Sequence, residues 1–167
     1  LVGFIQGVSY SILLYAVVNW TPFSHVATAF LLWLATILLT GGIHLDGWMD
    51  ASDAYFSYQD QEKRLEIMKD PRTGAFGVIS VIVLLSCRFF FIYELTMNIE
   101  PVIYYLIAAL PFFSKSVMGA VLLTVQSAKN EGLGRMFQQA ATAKVLWIYP
   151  FYIFVFLIAV FLSRGFF

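Results

Sequence analysis

An all-α, polytopic integral membrane helix bundle is the fold class this sequence predicts, on three observations. Hydrophobic residues make up 60% of the chain and charged residues only 12%, where a soluble domain carries about 45–50% and about 25%. The apolar residues gather into long runs, each roughly the 17–25 residues that cross about 30 Å of hydrocarbon at 1.5 Å per residue. Seven of the ten carboxylates fall together between residues 41 and 77, bounded on both sides by such runs. In lipid every backbone polar group must be satisfied within the protein, and these runs are too long for barrel strands, so helices are the spanning elements.

Five spans follow in order, at about residues 1–20, 26–43, 76–97, 102–125 and 145–162. Pro111 and Pro150 are expected to kink the fourth and fifth, because proline removes a helical hydrogen bond. The loops alternate in charge. Residues 21–25 and 98–101 contain no Lys or Arg, whereas 41–74 holds Lys63, Arg64, Lys69 and Arg72, and 126–144 holds Lys129, Arg135 and Lys144. With five helices the two basic loops share one side, and the positive-inside rule makes that side the cytoplasm. A single membrane domain over residues 1–167 is expected. It opens and closes in mid-pattern, as a piece of a longer protein would.

Several function classes are disfavoured. Net charge is zero and no basic patch is interleaved with aromatics, so no nucleic-acid partner is expected. The single cysteine, Cys87, permits neither an intrachain disulfide nor a Cys-based zinc site, and reads as a buried small hydrophobe. No Ser/His/Asp or Cys/His arrangement points to a covalent intermediate.

The basic loop "GGIHLDGWMDASDAYFSYQDQEKRLEIMKDPRTGAFG" carries the chemistry. Residues 45–56 suit a helix, 58–60 a polar break, and 61–69 a second helix ended by Asp70-Pro71. Asp46, Asp50 and Asp53 stand at i, i+4 and i+7, one stripe of the first helix. Three carboxylates on one face repel one another unless a cation joins them. A hard ion with oxygen ligands, Mg²⁺ or Mn²⁺, suits that donor set. The plainer reading is a solvated acidic face. Against it, the acids abut an apolar run, where unneeded charge is costly, and no base stands at i+3 or i+4 to neutralise them.

Around this stripe, Gly47 leaves space beside Asp46 for a bulky ligand, and Lys69 and Arg72 are candidates for phosphate oxygens. His44 lies on another face and is either a substrate hydrogen-bond donor or a satisfied histidine. Glu62, Lys63 and Arg64 read as a solvated face. The turn "NEGLGR" at 130–135, with Glu131, offers backbone N–H groups to phosphate, a weak signal by itself. Lys115, Arg88 and Glu94 lie within apolar runs and are either functional or snorkelling, with a structural ion pair a further reading for Arg88 and Glu94.

Two strings, "GGIHLDGWMDASDA" and "RLEIMKDPRTGAFG", with the later "EGLGRMF", resemble the cobalamin synthase family, the adenosylcobinamide-GDP ribazoletransferases. The chain departs from the usual family pattern at Ala54, where glycine is common, and at Lys115, where arginine is common. The resemblance implies a Mg²⁺-dependent transferase in the last steps of vitamin B12 assembly. It would join adenosylcobinamide-GDP to α-ribazole or its 5′-phosphate and release GMP. Asp46, Asp50 and Asp53 would hold the metal, and His44, Gly47, Lys69, Arg72 and Glu131 would contact substrate. Asp53 or Asp70 would take the proton of the attacking hydroxyl. The carboxylate pattern is also similar to that of the CDP-alcohol phosphotransferases, although Met49-Asp50 stands where they have Ala-Arg. A third reading, a divalent-cation transporter, would use the same three aspartates as its ion site.

Overall fold

The computed structural model describes residues 2–125, with Arg135, Met136, Gln139, Phe154 and Ile158 beyond them. The expected fifth span, Pro150 and the Glu131 turn lie outside the described residues. Within residues 2–125 six helices follow one another: α1 (Val2–Trp20), α2 (His25–Leu38), α3 (Ile43–Phe56), α4 (Gln61–Ile67), α5 (Ala75–Met97) and α6 (Pro101–Thr124). Among the described residues there is no strand. Among the described residues three helices, α1, α5 and α6, are long and apolar enough to cross a membrane. They expose large apolar side chains, as on α5, where Ile79, Ile82, Val83, Phe90 and Phe91 lie open. Water would not tolerate that much contiguous apolar surface, and lipid does. The chain is a membrane helical protein.

The second apolar run departs from expectation. Instead of one helix over 26–43, α2 stops at Leu38, and its 14 residues rise only about 21 Å. The chain then bends by 80° into α3. Gly41 and Gly42 make the bend, at φ +65° and +74°. That left-handed backbone costs other residues steric strain. Taken as one broken span, α2 and α3 raise the count to four. Residues 61–69 form a helix only to Ile67, with Met68 as its C-cap. Tyr58, in the break before it, has φ +53°. α6 runs through Pro111 without interruption.

The chain divides into two compact units. In residues 9–104, α2 and α5 run antiparallel, tied at two levels. Trp33 Nε1 donates to the Leu85 carbonyl at 3.0 Å, and Thr96, fully buried, donates its hydroxyl to the His25 carbonyl at 3.3 Å. Such interhelical bonds are worth about 1 kcal/mol each in a membrane. Phe89 meets the Trp33 ring edge-on. Cys87, expected to be buried, is exposed on α5.

The other unit joins residues 1–8 to the chain from 105 onward. Gly3 and Gly7, one turn apart on α1, face the α6 backbone. A Cβ on Gly3 would lie 2.6 Å from the Pro111 carbonyl oxygen, and one on Gly7 would overlap the Ala108 carbonyl oxygen. Small residues at this spacing let two helices touch backbone to backbone. Lys115, half-buried, lies beside Gly3.

Candidate functional site

α3 and the segment leading into α5 hold the acidic and basic residues. α3 starts at Gly42, which has no side chain to cap it. Asp46 in its first turn partly offsets the bare N–H groups, since a negative charge is favoured at that end of the helix dipole. Asp46 is exposed, and Asp50 and Asp53 are half-buried, so the stripe descends into the protein along α3. His44 and Gly47 are exposed, with nothing within 4 Å of a Cβ built on Gly47. A glycine inside a helix costs about 0.5–1 kcal/mol relative to alanine. No packing need explains it here, and the open space beside Asp46 is available to a ligand.

Asp53 is engaged. One carboxylate oxygen accepts from the Gly74 backbone N–H and the other from that of Gly77, both at 2.7 Å. Gly74 is the N-cap of α5, in extended backbone, and offers no capping side chain. Asp53 therefore supplies from α3 the two bonds that a capping box makes within one helix. Its charge also sits at the positive end of the α5 dipole. The approach is close: a Cβ on Gly74 would lie 2.5 Å from an Asp53 oxygen, and one on Gly77 would collide with the carboxylate and come within 3.0 Å of the Met49 carbonyl oxygen. Stacking of Phe56 on Phe76, at 5.4 Å, closes the same corner. The sequence signal for this contact was Gly74 and Gly77 at i, i+3 around a helix start that lacks its own cap.

Asp70 and Arg72 form a fork. Arg72 Nη2 donates to Asp70 Oδ2 at 2.6 Å and Nε donates to Oδ1 at 3.0 Å, while the Arg72 backbone N–H reaches Oδ1 at 3.0 Å. The guanidinium bonds, more than the backbone bond, hold the Asp70 carboxyl down at about 2, and the carboxylate raises Arg72 in turn. A carboxylate this weakly basic is a poor proton acceptor at neutral pH. The expectation that Asp53 or Asp70 is the base thus meets two carboxylates already accepting hydrogen bonds. Because the folded value is depressed, any stabilisation from Asp70 is complete above the ordinary value of 3.8 and lost as pH falls through about 2. In Arg72→Ala the guanidinium bonds are lost and the backbone N–H bond stays, so the Asp70 carboxyl should move up toward the ordinary 3.8 and remain below it, which carboxyl-carbon NMR would register.

Lys69 is exposed beside this fork. Arg64 on α4 departs from the expected solvated face: it is half-buried, and its Nε is buried without a hydrogen-bond partner. Asp60 caps α4 by accepting from the Lys63 N–H at 3.0 Å.

A hard divalent cation fits Asp46 and Asp50 by donor chemistry, as carboxylates one helical turn apart with open space at Gly47 beside Asp46, since Mg²⁺ is commonly held by one or two carboxylates together with substrate phosphate. Asp53 fits less well, because a cation there would share oxygens that already take two N–H bonds. Among the described residues, no three His, Cys, Asp or Glu side chains come together as a metal site.

The model of one family, described as cobalamin-5-phosphate synthase, matches residues 1–167. The chain belongs to this family. Several curated relatives carry the name adenosylcobinamide-GDP ribazoletransferase. One from Geobacillus sp. (strain WCH70) is 39% identical over 145 residues, 84% of this chain and 52% of the relative. Another, from Geobacillus thermodenitrificans (strain NG80-2), is 47% identical over 105 residues, 62% of this chain and 38% of the relative. A third, from Clostridium botulinum (strain Eklund 17B / Type B), is 35% identical over 131 residues, 78% and 51%. The chain thus spans about half, or less, of the length of these relatives. No solved structure matches it.

Proposed function

We propose that the protein transfers the adenosylcobinamide phosphate group of adenosylcobinamide-GDP to α-ribazole or its 5′-phosphate and releases GMP. The observation that carries this reading is the cobalamin-5-phosphate synthase match over the whole chain. It is joined by acidic and basic residues gathered where α3 meets the start of α5. The ribose hydroxyl attacks the phosphorus bonded to cobinamide, the bond to the GMP oxygen breaks, and the hydroxyl proton passes to the departing GMP phosphate or to water. Bound at Asp46 and Asp50, a divalent cation, Mg²⁺ or Mn²⁺, would neutralise charge on the diphosphate and the leaving group.

The chain's own groups do the rest. Asp46 and Asp50 would hold that cation beside the diphosphate. Lys69 offers a point charge to non-bridging oxygens, and Arg72, 87% exposed, can exchange Asp70 for a substrate phosphate. Gly47 leaves the approach to Asp46 open. His44 on α3 is a hydrogen-bond donor to substrate. Glu131 completes the expected substrate contacts. The loop faces the cytoplasm, where nucleotide substrates are made, in keeping with the basic residues it carries.

The deciding experiment is GMP release from adenosylcobinamide-GDP and α-ribazole by membranes containing the protein, with and without EDTA. Release that EDTA abolishes and Mg²⁺ restores is the expected result, and no release with both substrates present refutes the reading. In the same assay Lys69→Ala should raise KM for adenosylcobinamide-GDP about tenfold, the scale of one lost charged contact, and leave KM for α-ribazole within about twofold.

One observation favours a second reading. The 80° break between α2 and α3 stands just before Asp46, and broken helices with nearby acids are how many transporters bind ions. Mg²⁺ or Mn²⁺ flux into proteoliposomes without either substrate would support a cation transporter instead.

A further inference from the structure

We infer that Asp53 is a positioning residue, the clasp that fixes the start of α5 against α3, and not a member of the cation shell. The inference rests on the divalent-cation reading above for its functional meaning and on geometry for its substance. Both Asp53 oxygens accept backbone N–H bonds from the start of α5, at Gly74 and Gly77, each at 2.7 Å. Neither glycine leaves room for a Cβ between its backbone and that carboxylate. The bonds cross from one helix to another, over 21 and 24 residues of sequence.

The consequence reaches the reacting groups through the chain. Residues 69–73 run directly into Gly74, so the clasp limits where Lys69 and the Asp70–Arg72 fork can stand relative to Asp46 and Asp50 on α3. Gly74 and Gly77 are required because a side chain at either would push the carboxylate off. Asp53 thereby acts on substrate through Lys69 and Arg72, and its negative charge is spent on the α5 N-terminus.

The test uses Asp53→Asn, Gly77→Ala and the double variant in the detergent-purified protein, with two readouts independent of turnover. Asparagine keeps one acceptor and sets an N–H₂ group against the other amide. Gly77→Ala leaves the carboxylate chemically intact and displaces it, so it also serves if Asp53→Asn does not fold. Amide hydrogen exchange at residues 74–77 should accelerate roughly tenfold or more in each single variant, the scale of one lost charge-assisted bond. The double variant should exchange no faster than the faster single one, since both changes open the same clasp. Mn²⁺ alone, titrated by electron paramagnetic resonance, should bind each variant within about twofold of the parent affinity. A loss of Mn²⁺ affinity of about tenfold or more in Asp53→Asn would put Asp53 in the cation shell and overturn the inference. Parental exchange rates in both single variants would overturn it as well. If the parent itself binds no Mn²⁺, the divalent-cation reading of α3 falls, and the exchange rates still decide what Asp53 does.

Discussion

Asp50→Asn should lower turnover by about a thousandfold while the protein still inserts, folds and elutes as the parent does. A thousandfold is about 4 kcal/mol of transition-state stabilisation, the scale of losing a main electrostatic contributor to a charged leaving group. Asparagine keeps the size and one acceptor oxygen of Asp50, so helix α3 should persist. What disappears is the charge next to Asp46 on the same helical face. The apparent Mg²⁺ requirement should rise with the loss of turnover, which a Mg²⁺ titration of GMP release would measure. Full activity in Asp50→Asn would remove Asp50 from the site and leave Asp46 alone, too little for the proposed mechanism.

The largest effect on stability is expected from Gly7→Leu. A Cβ there would overlap the Ala108 carbonyl oxygen, with the Ala108 carbonyl carbon at 2.8 Å and its Cα at 3.0 Å. These are backbone atoms of a helix, and they cannot swing aside as a side-chain end does. The helices must separate, losing their contact. Overpacking of this kind costs about 1–3 kcal/mol, and the upper end applies because the obstacle is main chain. A drop of about 3 kcal/mol lowers the melting midpoint of a chain this size by roughly 6–12 °C. Thermal unfolding in detergent, followed by circular dichroism, would show it. An unchanged midpoint would mean that the α1–α6 approach is not a stabilising contact.

The fold class was legible in composition and run length because a bilayer imposes one simple demand, an apolar helix of sufficient length. The acidic stripe was legible too, since α3 is a helix and Asp46, Asp50 and Asp53 lie along it. The end of α2 was not. The apolar run continues to Ile43, and hydropathy does not register that Gly41 and Gly42 adopt left-handed backbone. Arg64 read as solvated because its neighbours in sequence are charged, yet α4 turns its Nε into the protein.

Periodicity and chemical type settle quantities local to the chain: that it forms apolar helices, that three aspartates share a ridge, and that oxygen donors and cations occupy one loop. That Asp53 closes onto the start of α5 was decided by partners 21 and 24 residues away. A helical stripe treats its carboxylates alike. Folding makes them unlike, because a carboxylate brought against the bare amides of another helix spends its lone pairs there, and only three-dimensional contact determines which one that is.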